Sequence, residues 1–263
     1  MSLHAWSGPT PAGALLALLG DGALRSTALL GAALAAERLL RRSPAAVRHS
    51  VLCAGLLGVP FVMLGGAAMR ATTLGFEGLE PRLASVLAGV YLLGVVSLLL
   101  PLGRGLVALA ALARRASNAP PWLRALRSAG GPRLGLADVS VPMTFGWGRP
   151  VILFPLAASG WTDEERRSAL AHELAHIRRG DWALQIASHL VVAMTWFHPL
   201  AWVVRSRLWL LAEHAADDAV LATGMRPSAY AEHLLARCAE LSILGPAAVA
   251  MSPTGSRQLE QRI

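Results

Sequence analysis

Lysine is absent from this 263-residue chain, so all 24 basic side chains are arginine and the formal net charge of +8 rests on one residue type. An all-arginine excess follows as readily from genome base composition as from function, and no nucleic-acid partner is expected from it. Cysteine is nearly absent as well: Cys53 lies in an apolar stretch and Cys238 in an amphipathic one. Two such isolated thiols exclude a disulfide framework and a thiolate metal site. Charge of either sign is scarce at 15%, against 54% hydrophobic residues and a mean hydropathy of +0.49. That balance is too apolar for an ordinary soluble domain, so part of the chain belongs in lipid. No Arg precedes the first apolar run; without the positive n-region of a secretory signal, the N-terminal segment is expected to be retained. The sequence shows no internal repeat and no low-complexity tract.

Three apolar runs are long enough to cross a hydrocarbon core of about 30 Å. The first covers residues 14–40, interrupted early by Gly20, Asp21 and Gly22, so that the span itself is expected to begin near Ala23 with Arg25 snorkelling outward. A basic loop with Arg38, Arg41, Arg42 and Arg48 follows. The second run, 51–69, holds Pro60 as a candidate kink. The third, 83–102, is preceded by a loop carrying Glu77 and Glu80 and followed by Arg104, Arg114, Arg115, Arg124 and Arg127. Arginine-rich loops mark the cytoplasmic side. Three crossings then put the N-terminus outside and the rest of the chain in the cytoplasm. The expected division is a membrane domain at 1–115 and a cytoplasm-facing domain at 116–263.

Beyond residue 132 the texture changes to short strand-like runs at 133–138, 140–145 and 150–154, with Gly146-Trp147-Gly148 as the turn between the last two. Thr162-Asp163-Glu164-Glu165 is a capping-box signature and predicts a helix from there to Arg179, stopped by Gly180. A long apolar segment at 182–204 contains His198-Pro199. Two more helices are expected, at 205–223 and 227–244, and then a polar tail. The fold class is mainly α: polytopic membrane helices plus an α+β domain with a small hairpin or sheet.

The chemistry is concentrated in His172-Glu173-Leu174-Ala175-His176. One helical turn separates the histidines, so both imidazoles leave one face and can share a Zn²⁺, with Glu173 beside them as general base. Composition alone would produce such a motif in on the order of one chain in a hundred. A hydrolytic zinc needs a third protein ligand and one open position. Glu213, Asp217, Asp218, His189, His198, His214 and Asp181 are all candidates. Glu213 and Asp217 lie one turn apart on a second helix, an arrangement suited to Glu213 as ligand and Asp217 as hydrogen-bond acceptor for a ligand histidine. His214 is a candidate oxyanion stabiliser. Val151, Ile152 and Leu153 are a candidate edge strand for pairing with an extended substrate. His189 reads as a buried core histidine, and Arg178 and Arg179 as charges favoured at a helix C-terminus.

Four ordered stretches carry a resemblance: 143–155 (M-T-F-G-W-G-R-P-V-I-L-F-P), H-E-L-A-H-I-R-R-G-D-W at 172–182, W-F-H-P-L-A-W at 196–202, and E-H-A-A-D-D-A-V at 213–220. Together with three leading membrane helices they resemble the membrane metalloprotease family of the beta-lactam sensor-transducers BlaR and MecR. The resemblance implies a gluzincin-type zinc protease in a bacterial-type inner membrane, facing the cytoplasm, with ligands at His172, His176 and Glu213 and the catalytic glutamate at Glu173. It also implies a protein or peptide substrate, such as a transcriptional repressor or the chain itself. No stretch of these 263 residues resembles the extracellular penicillin-binding sensor domain of those proteins, so beta-lactam sensing is not carried over as an expectation: either the sequence is a fragment or its input is a different signal.

Ligand geometry constrains the path of the chain. A complete crossing by 182–204 would carry Glu213 to the side opposite the histidines, so the segment is expected to be re-entrant or membrane-associated, with its turn near His198-Pro199. The competing readings are a membrane quality-control protease, a non-hydrolytic zinc-stabilised signalling module, and an intramembrane protease. The charged flanks of the H-E-L-A-H helix oppose the last of these.

Overall fold

The computed structural model describes residues 11–68, 80–116, 120–126 and 130–243. The N-terminal segment up to residue 10, most of the acidic loop before the third span and the polar tail lie outside the described residues. The chain divides into two compact units: Met1–Ser43, Val47–Arg104 and Ala187–Leu208 form the first, and Pro44–Ala46, Gly105–Ile186 and Trp209–Ile263 the second.

The first unit is built from apolar helices. α1 (Pro11–Leu39), α2 (Ala45–Ala68) and α3 (Pro81–Arg115) are the helices among the described residues that are long and apolar enough to cross a membrane. α1 corrects one expectation. It runs unbroken through Gly20, Asp21 and Gly22, because the Asp21 carboxylate is buried in the unit and pairs with Arg25 one turn later at 3.0 Å. Arg25 thus closes an i,i+4 pair instead of snorkelling away. α1 and α2 approach closely where Gly55 faces Ala33: a Cβ at Gly55 would sit 2.5 Å from the Ala33 methyl. Small residues at such a crossing let helix backbones pack tightly. Glu37 of α1 is buried and binds Arg48 of α2, with Nε at 3.0 Å, and Arg207 at 3.7 Å.

The apolar run 182–204 folds as helix, turn and helix: α6 (Asp181–Met194), a turn at 195–198, and α7 (Pro199–Leu221). At 1.5 Å per residue, the 14 residues of α6 extend about 21 Å, less than a hydrocarbon core. His198 is buried at the turn, with Nε2 3.1 Å from Thr27 Oγ1 and 3.2 Å from the Ala23 carbonyl. α3 meets this turn through an aromatic cluster. The Tyr91 hydroxyl donates to the Met194 carbonyl at 2.9 Å, Trp196 Nε1 donates to the Tyr91 carbonyl at 3.2 Å, and Tyr91 and Phe197 stack edge to face. The Trp196 indole fills the notch left by Gly94, where a Cβ would stand 2.3 Å from the ring.

The second unit centres on a three-stranded sheet among the described residues: β1 (Arg133–Ala137), β2 (Met143–Phe145) and β3 (Val151–Pro155), in the order β1-β3-β2. β3 pairs parallel with β1 and antiparallel with β2. It is therefore central. The expectation that Val151, Ile152 and Leu153 form an edge for substrate pairing is overturned, since both their backbone edges are already bonded and Ile152 and Leu153 are fully buried. Alternation along β3 fills two layers. Ile152 and Phe154 face Leu123 of the short α4 (Pro121–Ala125) and Ala169, while Leu153 faces Phe145 with Leu109, Leu112 and Trp182 around it. α5 (Asp163–Arg179) starts at a closed capping box: Thr162 Oγ1 accepts from Glu165 N at 3.2 Å, and Glu165 Oε2 accepts from Thr162 N at 2.7 Å. It ends at Gly180, whose φ of 69° is the left-handed cap that glycine takes without a Cβ penalty. α8 (Pro227–Ile243) packs Tyr230 and Leu234 on Val220 of α7 and Ala171 of α5.

Candidate metal centre

His172 and His176 occupy successive turns of α5 and present their imidazoles side by side, with ring centroids 4.8 Å apart. The chain leaves the second unit after Ile186 and re-enters it at Trp209, which returns Glu213 of α7 to the same place. His172 Nε2 lies 3.1 Å from His176 Nε2 and 3.5 Å from Glu213 Oε2, and His176 Nε2 lies 3.6 Å from Glu213 Oε1. All three residues are buried, as is Glu173.

The donor set fits a tetrahedral divalent ion. Ligand atoms at roughly 2.0–2.1 Å from such an ion are separated by about 3.3 Å, the spacing seen here. The outer nitrogens are also committed. His176 Nδ1 is 2.6 Å from Asp181 Oδ2, and His172 Nδ1 is 3.2 Å from Asp217 Oδ1. A carboxylate only accepts, so each Nδ1 carries a proton, and a bound metal would take the Nε2 side of each ring. Burial pulls the His172 pKa down, but its hydrogen bonds to Asp217 and Glu213 and the charges of Glu213 and Glu173 outweigh that and hold it up at about 9. Burial pushes Asp181 up, and the stronger pull of its bonds to His176 and Arg179 leaves it below the usual carboxylate range.

Of the other sequence candidates, Asp217 reaches His172, whereas Asp181 serves as the partner of His176 and stands outside the metal-facing group. His189 contacts Arg205, and His198 belongs to the turn packed on α1, both in the first unit. His214 follows Glu213 on α7 and keeps a buried Nε2 with no hydrogen-bond partner among the described residues. On sequence alone Arg179 reads only as a helix C-terminal charge, and Tyr230 is passed over. Arg179 binds Asp181 and donates to the Ala212 carbonyl at 2.6 Å, fastening α5 to the residue before Glu213. Tyr230 donates to Asp217 Oδ1 at 2.7 Å. The short steps from His176 and Arg179 to Asp181 across a predicted Gly180 cap were a local signal for the contacts at Asp181; no local signal pointed to the Ala212 carbonyl or to Tyr230.

A cleft of about 350 Å³ opens beside His176, between β2 with its turn and the end of α5, lined by Thr144, Trp147, Pro150, Arg178 and Trp182 among others. Positive φ at Gly146 (98°) and Gly148 (73°) shapes that turn.

Two imidazoles of an H-E-x-x-H helix and a carboxylate from a second helix converge beside a buried glutamate as a group that could hold a metal ion, the donor pattern of a metallopeptidase, in a multi-pass membrane protein. The chain belongs to the family described as BlaR1 peptidase M56, whose sequence model matches residues 86–263. It is similar to the Regulatory protein BlaR1 of Bacillus licheniformis, with 34% identity over 85 residues. That alignment covers 32% of this chain and 14% of the relative, so the chain matches only a small part of the longer protein.

Proposed function

We propose that the chain is a zinc-dependent endopeptidase of the cytoplasmic membrane, with its N-terminus outside and its active site facing the cytoplasm. The observation that carries this reading is the convergence of His172 Nε2, His176 Nε2 and the Glu213 carboxylate while both Nδ1 atoms are held by carboxylates. These three residues hold the metal. When bound, zinc supplies Lewis acidity to polarise a scissile carbonyl and acidify water.

Glu173 takes the proton of the attacking water and returns it to the leaving amine. His214 is assigned to hydrogen-bond the carbonyl oxygen as negative charge develops on it. The substrate is an extended peptide segment. Its backbone adds to β2, because β3 is enclosed and β2 has an outer edge next to the cleft that reaches His176. The family supports a role in signal transduction, in which cleavage falls on a repressor-like regulator or on the chain itself.

Elemental analysis of the detergent-solubilised chain tests the centre. About one zinc per chain is expected in wild type, with the metal lost from His172→Ala and Glu213→Ala. Glu173→Gln is expected to keep its zinc and lose peptide cleavage. Full zinc retention in Glu213→Ala would remove Glu213 from the ligand set.

A further inference from the structure

Tyr230 lies 58 positions after His172, on a helix that contributes no metal ligand, yet its hydroxyl reaches the outer face of the metal centre. It is 2.7 Å from Asp217 Oδ1 and 3.2 Å from His172 Nδ1, and the residue is only 3% exposed. With Asp217 Oδ1 also 3.2 Å from His172 Nδ1, the three groups form a closed triangle.

The chemistry of the triangle allows one assignment of protons. Asp217 has no proton to give, so the tyrosine hydroxyl donates to it. The His172 Nδ1 proton then points at Asp217 and at the remaining lone pairs of the tyrosine oxygen. A bare Nδ1 would face the carboxylate lone pairs and find no donor, because the tyrosine proton is already used. The hydroxyl thus does two things: it holds the Asp217 carboxylate in place, and it penalises the imidazole tautomer that would turn a protonated Nε2 toward the metal position. Outer hydrogen bonds of this kind orient a ligand histidine and raise its basicity.

The contact is also part of a helix-helix seam. Tyr230, His233 and Leu234 stand at i, i+3 and i+4 on α8, so they share one face. Opposite them on α5 are Ser168, Ala171 and His172, which share a face for the same reason. Ser168 Oγ is 3.5 Å from His233 Nδ1, and Ala171 packs against the Tyr230 and Leu234 cluster. The seating of α8 and the orientation of His172 are therefore one structural event.

We propose that Tyr230 is a positioning residue for the metal centre, so that docking of α8 and metal occupancy are thermodynamically coupled. The proposal rests on the metal-site reading above and concerns how that site is regulated. Coupling is reciprocal: whatever factor docked α8 adds to metal affinity, bound metal adds to the docking of α8. A partner or signal that pulls α8 from its seat would weaken the metal centre without touching a ligand.

The test uses the full chain in detergent and reads metal affinity by chelator competition with Zn²⁺, together with the absorption spectrum of Co²⁺ bound in its place. Tyr230→Phe keeps the ring in its packing and removes only the hydroxyl. Affinity is expected to fall at least about 10-fold, the lower end of what losing an outer partner costs, while circular dichroism of the metal-free variant keeps the helical content of wild type and its melting temperature falls by what one charged hydrogen bond contributes. Asp217→Asn should weaken binding too, and the double variant should be little worse than Asp217→Asn alone, since both changes break one chain of contacts. Amide exchange along α8 should slow on adding Zn²⁺ in wild type and respond less in Tyr230→Phe. Unchanged affinity in Tyr230→Phe, or independent multiplication of the two losses, would overturn the proposal while leaving the metal site standing. A wild type that binds neither ion would overturn both.

Discussion

His172 titrates well above the ordinary histidine range, and its titration has a sign that can be checked. Its pKa of about 9 in the metal-free fold stands above the ordinary 6.5, so the folded chain holds the proton more tightly than the unfolded chain does. That stabilisation is fully present below pH 6.5 and is lost as pH rises through 9. Thermal melts of the zinc-stripped protein are expected to show a falling melting temperature over this window, and His172→Ala should abolish that part of the fall. Asp181 makes a second residue-level test. It accepts from His176 Nδ1 and takes an Arg179 ion pair in a nearly fully buried position. Asp181→Asn is expected to reduce zinc affinity by about 10- to 100-fold, as measured by chelator competition.

At the scale of elements, the α6–α7 turn depends on how it meets α3. Trp196 occupies the space above Gly94, and its indole nitrogen and Tyr91 exchange hydrogen bonds with the two backbones. Gly94→Ala puts a methyl within 2.3 Å of a ring that is bonded in place, so the helices must separate or the indole must leave. A destabilisation of about 1–3 kcal/mol is expected, of the kind overpacking produces, and thermal unfolding in detergent would show it. A melting temperature equal to wild type would mean that the turn is not held there. The same scale explains what was legible early. α5 announced both its ends, through the Thr162 capping box and the Gly180 cap, because those bonds join residues within a single turn. The sheet was only half legible. The β2–β3 hairpin was visible in its Gly146-Trp147-Gly148 turn, but the parallel partner β1 was not, since no local feature of residues 133–137 says which edge they will take.

For the whole molecule, the distribution of arginine sets the expected orientation in the membrane. Arg38, Arg41, Arg42 and Arg48 surround the connection between α1 and α2, and Arg114 and Arg115 end α3. Such clusters are retained on the cytoplasmic side. A single cysteine at Ser43, in a chain with Cys53 and Cys238 replaced by serine, is expected to resist a membrane-impermeant maleimide in intact cells and to react in inside-out vesicles. Labelling in intact cells would invert the proposed orientation and place the metal centre outside.

Sequence alone determined the features that depend on neighbours along the chain. The apolar length of three helices, the one-turn spacing that turns His172 and His176 to one face, and the one-turn spacing of Glu213 and Asp217 all follow from helical period. Tertiary structure alone decided the contacts between residues far apart in sequence. It kept α1 continuous through Gly20 and Gly22 by burying Asp21, enclosed β3 between two strands, tied Arg179 to the Ala212 carbonyl, and brought Tyr230 to Asp217 and His172. The physical reason is range: a helical turn is stabilised by bonds three or four residues long, whereas those placements depend on which surfaces meet when the elements pack.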